Sequence, residues 1–215
     1  MLSPTLNHGF LTNKAKWMIA VGALSMLLPL AALRLPAQNA SDETSAAPHG
    51  WFLAGTKPAN YTTGVDRDSI FQGRPSAFLK SKPSATEGFG TLMQSFSAEQ
   101  YLGKRVRLTA FVKSERVNNW AGLWMRVDKD KVGVAFDNMM DRPIKGTNDW
   151  RSYSVVLDVP QDATAIFFGI LLEQGGEVWL NSTQFEVVGP EVPTTQNSLG
   201  GLPQPKTPKN LNFEE

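Results

Sequence analysis

The stretch Arg105-Val-Arg-Leu-Thr-Ala-Phe-Val-Lys113 alternates apolar and polar residues without a break. On an extended chain Val106, Leu108, Ala110 and Val112 fall on one side, and Arg105, Arg107, Thr109 and Lys113 on the other. That is the pattern of a strand with one face in a core and one in water. Working outward, the same alternation returns near residues 51–54, 61–65, 76–81, 88–96, 122–127, 132–138, 151–159, 163–173 and 177–188. Turn signals such as Asp128-Lys-Asp-Lys131 and Gln174-Gly-Gly176 close these runs, and no helical period competes with them. Short strands at such spacing predict an all-β fold, a two-sheet antiparallel jelly-roll sandwich over residues 50–188, preceded by one N-terminal apolar helix.

The composition limits what such a domain does. The chain has 215 residues and 41% hydrophobic content, enough for one well-buried domain with extensions. A formal net charge of +1 supplies no field to gather nucleic acid, and no basic run resembles a DNA-reading helix, so no nucleic-acid partner is expected. There is no cysteine, which removes disulfides, thiolate nucleophiles and cysteine zinc sites together. The two histidines, His8 and His49, lie before the apolar segment and in a polar linker, where nothing orients them for a triad or a metal site. Neither a metal nor another cofactor is expected.

Lys14 and Lys16 precede an apolar run from Trp17 to Leu33, after which come Arg34 and a polar stretch. Such a run rises roughly 26 Å as a helix against a bilayer core of about 30 Å, which leaves signal peptide and anchor both open. The nearby small-x-small cleavage candidates fail, because Leu35 precedes Ala37 and Gln38 precedes Ala40 by two residues, so an uncleaved anchor over residues 1–36 is the expectation. Two lysines before the run against one arginine after it place the domain on the periplasmic or extracellular side. Residues 37–49 read as a flexible linker and 189–215 as a disordered Pro-rich tail.

Several motifs in order give the domain a resemblance. They are Gly50-Trp-Phe-Leu-Ala-Gly55, Gly88-Phe-Gly-Thr-Leu-Met-Gln94, Tyr101-Leu-Gly-Lys-Arg-Val-Arg107, Trp120-Ala-Gly-Leu-Trp-Met-Arg-Val127, Phe136-Asp-Asn-Met139, Arg142-Pro-Ile-Lys-Gly146 and Phe168-Gly-Ile-Leu-Leu172. Together they resemble the galactose-binding or carbohydrate-binding-module jelly rolls appended to bacterial AraC-type regulators and other signalling proteins. The resemblance implies a noncatalytic module for a carbohydrate or similar polar small molecule. It also implies departures. Where such modules often carry an acidic pair that helps bind calcium, this chain has Asn181 and Ser182, which puts calcium in doubt. No helix-turn-helix accompanies the domain. A segment like the family's opening strand, Asn210-Leu-Asn-Phe-Glu214, stands at the C-terminus, either as a returning strand or as the start of a truncated second module. The Lys-rich entry and Leu35-Pro-Ala-Gln38 exit of the apolar segment resemble the last transmembrane helix of BlaR-type antirepressor sensors. That second resemblance implies the alternative, a sensory or protein-interaction module whose partner is another domain of a signalling protein.

A sugar site needs rings to stack on pyranose faces and polar groups for the hydroxyls. In Gly122-Leu-Trp-Met-Arg-Val-Asp128, Leu123, Met125 and Val127 suit the core, which sends Trp124, Arg126 and Asp128 to the opposite face. On the next strand Val132, Val134 and Phe136 are expected in the core with Asp137 pointing outward. The candidate patch is Trp124, Arg126 and Asp137, joined by Gln94, with Trp120 from a loop closing its rim. The competing reading makes Trp124 a packing residue and Arg126–Asp137 a cross-strand ion pair. Trp51, Trp150 and Trp179 read as packing residues. Hydrolysis of a glycoside would need two placed carboxylates, and the acids Asp66, Asp68, Asp128, Asp130 and Asp141 fall in turns; no nucleophile elbow or phosphate loop appears either, so no enzyme is expected.

Overall fold

The computed structural model describes residues 46–196, and the expected membrane segment, most of the linker and the Asn210-Leu-Asn-Phe-Glu214 motif lie outside them. Nine antiparallel strands are joined by hydrogen bonds into one curled sheet. They are β1 (Phe52–Gly55), β2 (Tyr61–Phe71), β3 (Arg74–Ser81), β4 (Phe89–Ser97), β5 (Arg105–Lys129), β6 (Val132–Asp137), β7 (Ile144–Asp158), β8 (Ala165–Glu173) and β9 (Glu177–Val188). The helical content of the described residues is two short 3₁₀ turns, Pro58–Asn60 and Glu99–Tyr101.

The order β1-β4-β8-β5-β9-β3-β2 makes β5 the spine, with β6 and β7 pairing to it as well. Its first half lies between β7 and β9, from Arg105 opposite Asp158 and Val188. Its second half lies between β6 and β8, with Met125 opposite Asp137 on one side and Phe168 on the other. The sheet curls because this one strand changes neighbours midway. Register against β7 slips at three places between Val112 and Ala121, and Arg116 there has φ +50. Such irregularities bend a strand and increase its twist. The sequence reading ends one strand at Lys113, begins the next at Gly122 and puts Trp120 in a loop between them. The structure instead continues the strand, and the backbone N–H of Asn118 donates to the carbonyl of Gly175.

The curl encloses a core of period-two residues. Leu79, Leu92, Leu108, Leu123, Met125, Leu157, Ile166, Ile170 and Leu172 are each almost wholly buried. Burying one such side chain contributes about 1.5–3 kcal/mol. Trp51 meets Phe168 edge-on at 5.5 Å, and Phe96, Tyr101, Phe168 and Phe185 form a ring cluster at the same core.

Residues 189–196, beyond β9, stay attached to the sheet. Arg105 Nη1 donates to the carbonyls of Pro190 (2.9 Å) and Val192 (2.6 Å), while its Nε and Nη2 hold Asp158. The backbone N–H of Thr195 donates to Val156 O at 2.9 Å, and Val156 N–H donates to Thr195 Oγ1 at 2.8 Å. The two Thr195 bonds pair the backbone groups of Val156 on the outer edge of β7. Residues 189–196, expected as the start of a disordered tail, are tied to the sheet by these bonds, and residues 197–215 lie outside the described ones.

Candidate functional site

The outer face of the β1-β4-β8-β5-β6 half carries a second apolar cluster, separate from the main core: Met93, Trp120, Trp124 and Leu171, with Ala54, Phe89, Phe136 and Phe167 packed against it. Its residues lie in rows across the sheet. One row runs Phe52, Met93, Gly169 and Trp124, and another runs Phe167, Arg126 and Phe136. Gly169 carries no side chain between Met93 and Trp124, so the indole reaches across β8 to β4. There Trp124 Nε1 donates to Thr91 Oγ1 at 2.7 Å, and Thr91 Oγ1 donates onward to Ile170 O at 2.9 Å. A Cβ at position 169 would stand 2.3 Å from Leu92 O and 2.9 Å from the Met93 Cβ, which explains why glycine is required there.

Above this cluster lies a cleft of about 420 Å³. Its floor and walls are Met93, Trp124, Leu171, Phe89, Phe136 and Phe167, with Ala54, Gly55 and Thr56 at one rim and Arg126 and Thr91 as its polar members. Arg126 is held twice over. Its Nε and Nη2 donate to the two carboxylate oxygens of Asp128 at 2.7 and 3.0 Å, and its guanidinium carbon stands 4.7 Å from the centre of the Phe167 ring. Asp128 is buried, with 4% of its side chain exposed, whereas 42% of the Arg126 side chain is open.

The expected patch is thus partly assembled and partly corrected. Trp124 and Arg126 lie together at the cleft, on the face the alternation assigns them. Trp124 is 8% exposed and forms the floor rather than a free platform. Trp120 belongs to β5, not to a loop; it is 9% exposed and its Nε1 donates to a carboxylate oxygen of Glu173. Asp137 is on the opposite, core side. Register places it beside Met125 and places Phe136 beside Arg126, the inverse of the expected β6 faces. The cause is the irregularity between Val127 and Asp128, which leaves Val132 and Val134 exposed and turns Ala135 and Asp137 inward. Asp137 is wholly buried and accepts from Arg142 Nη1 and Nη2 and from the backbone N–H of Met139. Arg126 and Asp137 therefore do not form a cross-strand pair. Gln94 also faces away from the cleft, since it shares the parity of wholly buried Leu92 while Thr91 and Met93 line the other face. A Cβ on Gly50 would come within 3.9 Å of its side-chain nitrogen.

The residues sequence reasoning missed are Phe89, Phe136, Phe167 and Thr91. Phenylalanines in strands read as core, and only the cross-strand register shows that Phe167 and Phe136 flank Arg126.

A larger cleft of about 650 Å³ lies where the β3–β4 connection, the irregular middle of β5 and the β8–β9 turn meet. Its charged groups engage each other and the backbone: Lys80 with Glu177 at 3.0 Å, Arg116 with Glu115, and Lys82 Nζ with the carbonyl of Ala59 at 2.8 Å. Burial raises the Glu177 carboxyl above the usual carboxylate range despite Lys80 beside it. None of the expected site residues reaches this cleft.

Asn181, one of the two positions weighed for calcium, is 6% exposed. Its Nδ2 donates to the carbonyls of Arg74 and Pro75 and to Ser76 Oγ, a donor role that a carboxylate ligand cannot fill.

No family model matches the chain. It is 45% identical over 168 residues to an uncharacterized HTH-type transcriptional regulator, YbfP, of Bacillus subtilis (strain 168), an alignment covering 77% of this chain and 57% of that one. The chain thus spans little more than half the length of the curated relative it matches. Among solved structures it is similar to the CBM22-1 xylan-binding domain of Paenibacillus barcinonensis Xyn10C, with 14% identity over 66% of this chain and 88% of that one and a TM-score of 0.48. It is also similar to a cyclase from Fischerella sp. TAU, with 13% identity, 66% and 86% coverage and a TM-score of 0.48. Likeness at these scores says nothing about a ligand.

Proposed function

We propose that this domain is a noncatalytic binding module and that the cleft over Trp124 receives a small molecule that presents a ring face. The observation that carries this reading is the cleft itself: a concavity of about 420 Å³ walled by Phe89, Phe136 and Phe167, with a single guanidinium at its edge. Its volume lies in the range of small-molecule sites, which are mostly apolar with few convergent polar groups. Stacking of a ring on such walls contributes about 0.5–1.5 kcal/mol beyond area burial for each pair. A carbohydrate is the ligand class that the sequence resemblance anticipates.

The noncatalytic part rests on the side chains that line the cleft. None is an acid, histidine or lysine, and Thr91, Trp124 and Arg126 are already engaged with Ile170, Thr91 and Asp128. A general acid or base must reach the reacting proton, and none stands here to do so. The test is a titration of tryptophan emission against a panel of oligosaccharides and ring compounds. Binding should shift the emission, and Phe167→Ala should weaken it while leaving the far-ultraviolet spectrum of a β protein. A panel without a single binder would defeat the reading.

A second reading is favoured by the relative. Identity of 45% to a protein named as an HTH-type regulator supports a sensory role, in which the module reports to a DNA-binding partner domain. Export or membrane attachment is proposed from Lys14, Lys16 and the run Trp17 to Leu33 alone, and fractionation of cells carrying the full chain tests it.

A further inference from the structure

Resting on the reading of the cleft as a ligand site, we infer that its ligand is a neutral, flat, mainly apolar molecule with one hydrogen-bond acceptor, and not a free polyhydroxylated sugar. The inference comes from counting the polar atoms the cleft has to offer. Thr91 Oγ1 gives its proton to Ile170 O and accepts from Trp124 Nε1. The indole N–H of Trp124 is therefore spent. Thr56 Oγ1, at the rim, accepts from the backbone N–H of Phe89 at 3.1 Å. Arg126 gives its Nε–H and one Nη2–H to Asp128, which leaves the two N–H of Nη1 and one of Nη2; with the hydroxyl proton of Thr56 at the rim, these are the side-chain donors the cleft has left to offer.

Donors gathered at one guanidinium corner and one rim hydroxyl, against walls of Phe89, Phe136, Phe167 and Met93, are a poor match for a pyranose, whose hydroxyls are spread around the ring and would each need a replacement for water. A buried hydroxyl without a partner loses more than its hydrogen bond would return. Selection against such ligands is therefore built into the lining. Charge points the same way. The buried Asp128 carboxylate already matches the guanidinium, so the pair is neutral as a unit and offers an anion little net attraction. Arg126 stacked on Phe167 instead presents a fixed donor next to a ring, the arrangement that orients a planar carbonyl compound.

The probe that tests this is prodan, a neutral naphthalene bearing one ketone whose emission moves to the blue in apolar surroundings. Expected are saturable one-to-one binding to the full chain, energy transfer from tryptophan, and at least tenfold weaker binding of the analogue whose ketone is replaced by a methylene. Naphthoate should bind no better than prodan, and xylohexaose should neither bind nor displace it. Arg126→Met should bring the affinity for prodan down to that of the ketone-free analogue. Because that variant leaves Asp128 unpaired and risks misfolding, the comparison of the two ligands on the unmodified chain carries the test by itself. If xylohexaose binds and displaces prodan, the ligand class is wrong and the cleft stands as a site. If naphthoate wins, neutrality is wrong. If no probe or sugar binds, the cleft reading itself falls. A prodan signal that appears only as the chain dimerises makes a second copy the occupant and overturns the inference.

Discussion

Trp124 on β5 and Thr91 on β4 are joined by a 2.7 Å hydrogen bond that passes over β8, where Gly169 leaves room for it. This bond fixes the floor of the cleft, and both partners are more than nine-tenths buried. Replacing Thr91 with valine keeps the shape and removes the acceptor. The indole N–H is then buried without a partner, at a cost of about 1–3 kcal/mol. Urea denaturation should show that loss for Thr91→Val and little loss for Thr91→Ser, which retains the hydroxyl.

Gly169→Ala should be among the most damaging methyl additions in the sheet. The new Cβ would meet Leu92 O at 2.3 Å, a backbone atom that cannot swing aside. Overpacking of this kind costs about 1–3 kcal/mol, and the displaced indole should register as a change in near-ultraviolet circular dichroism. An unchanged melting temperature would contradict the packing described.

The Asp137–Arg142 pair closes the β6–β7 connection from inside. Asp137 is wholly buried while 34% of the Arg142 side chain is open. Removing the cation in Arg142→Met leaves a buried carboxylate unpaired. Breaking a fully buried pair costs about 3–5 kcal/mol; partial exposure of Arg142 reduces this to roughly 2–3 kcal/mol. The double variant Arg142→Met with Asp137→Leu should recover part of the loss, and a double-mutant cycle measures it.

Acid should loosen the far half of the sheet through Asp66. Burial works to raise its carboxyl, but the backbone N–H of Ser69, the indole N–H of Trp179 and the backbone N–H of Asp68 outweigh that and hold it below the ordinary 3.8. A lowered folded-state value means that this group stabilises above the unfolded value and loses that contribution as pH falls through the folded one. Stability should thus decline below about pH 4, and Asp66→Asn should flatten the decline. Denaturation midpoints across that range decide it.

Asn181→Asp should destabilise the β3–β9 seam by about 1–3 kcal/mol, because the amide donates to two carbonyls that a carboxylate would instead repel.

How much of this was legible beforehand follows from what period-two burial encodes. The core face of β5 could be read because that strand has its own alternation and no cross-strand information is needed. The core side of β6 could not. Val132 and Val134 look like core yet stand exposed, because the irregularity at Val127–Asp128 shifts the register and only the partner strand reveals it. Asp137 had a signal in Arg142, five residues on, but a lone charge in a strand reads as solvent-facing by default. Gln94 was misplaced by one step of parity, which Leu92 beside it would have corrected. At the site, Trp124 and Arg126 were found from the strand that carries them. Phe136 and Phe167 were not, since flanking is a property of three strands at once.

The spine strand has a mechanical side. One end holds residues 190 and 192 through Arg105, the other carries Arg126 at the cleft, and between them lies the irregular stretch around Arg116. The cleft lining at Arg126 and the anchoring of residues 190–192 at Arg105 are thus carried by one continuous strand.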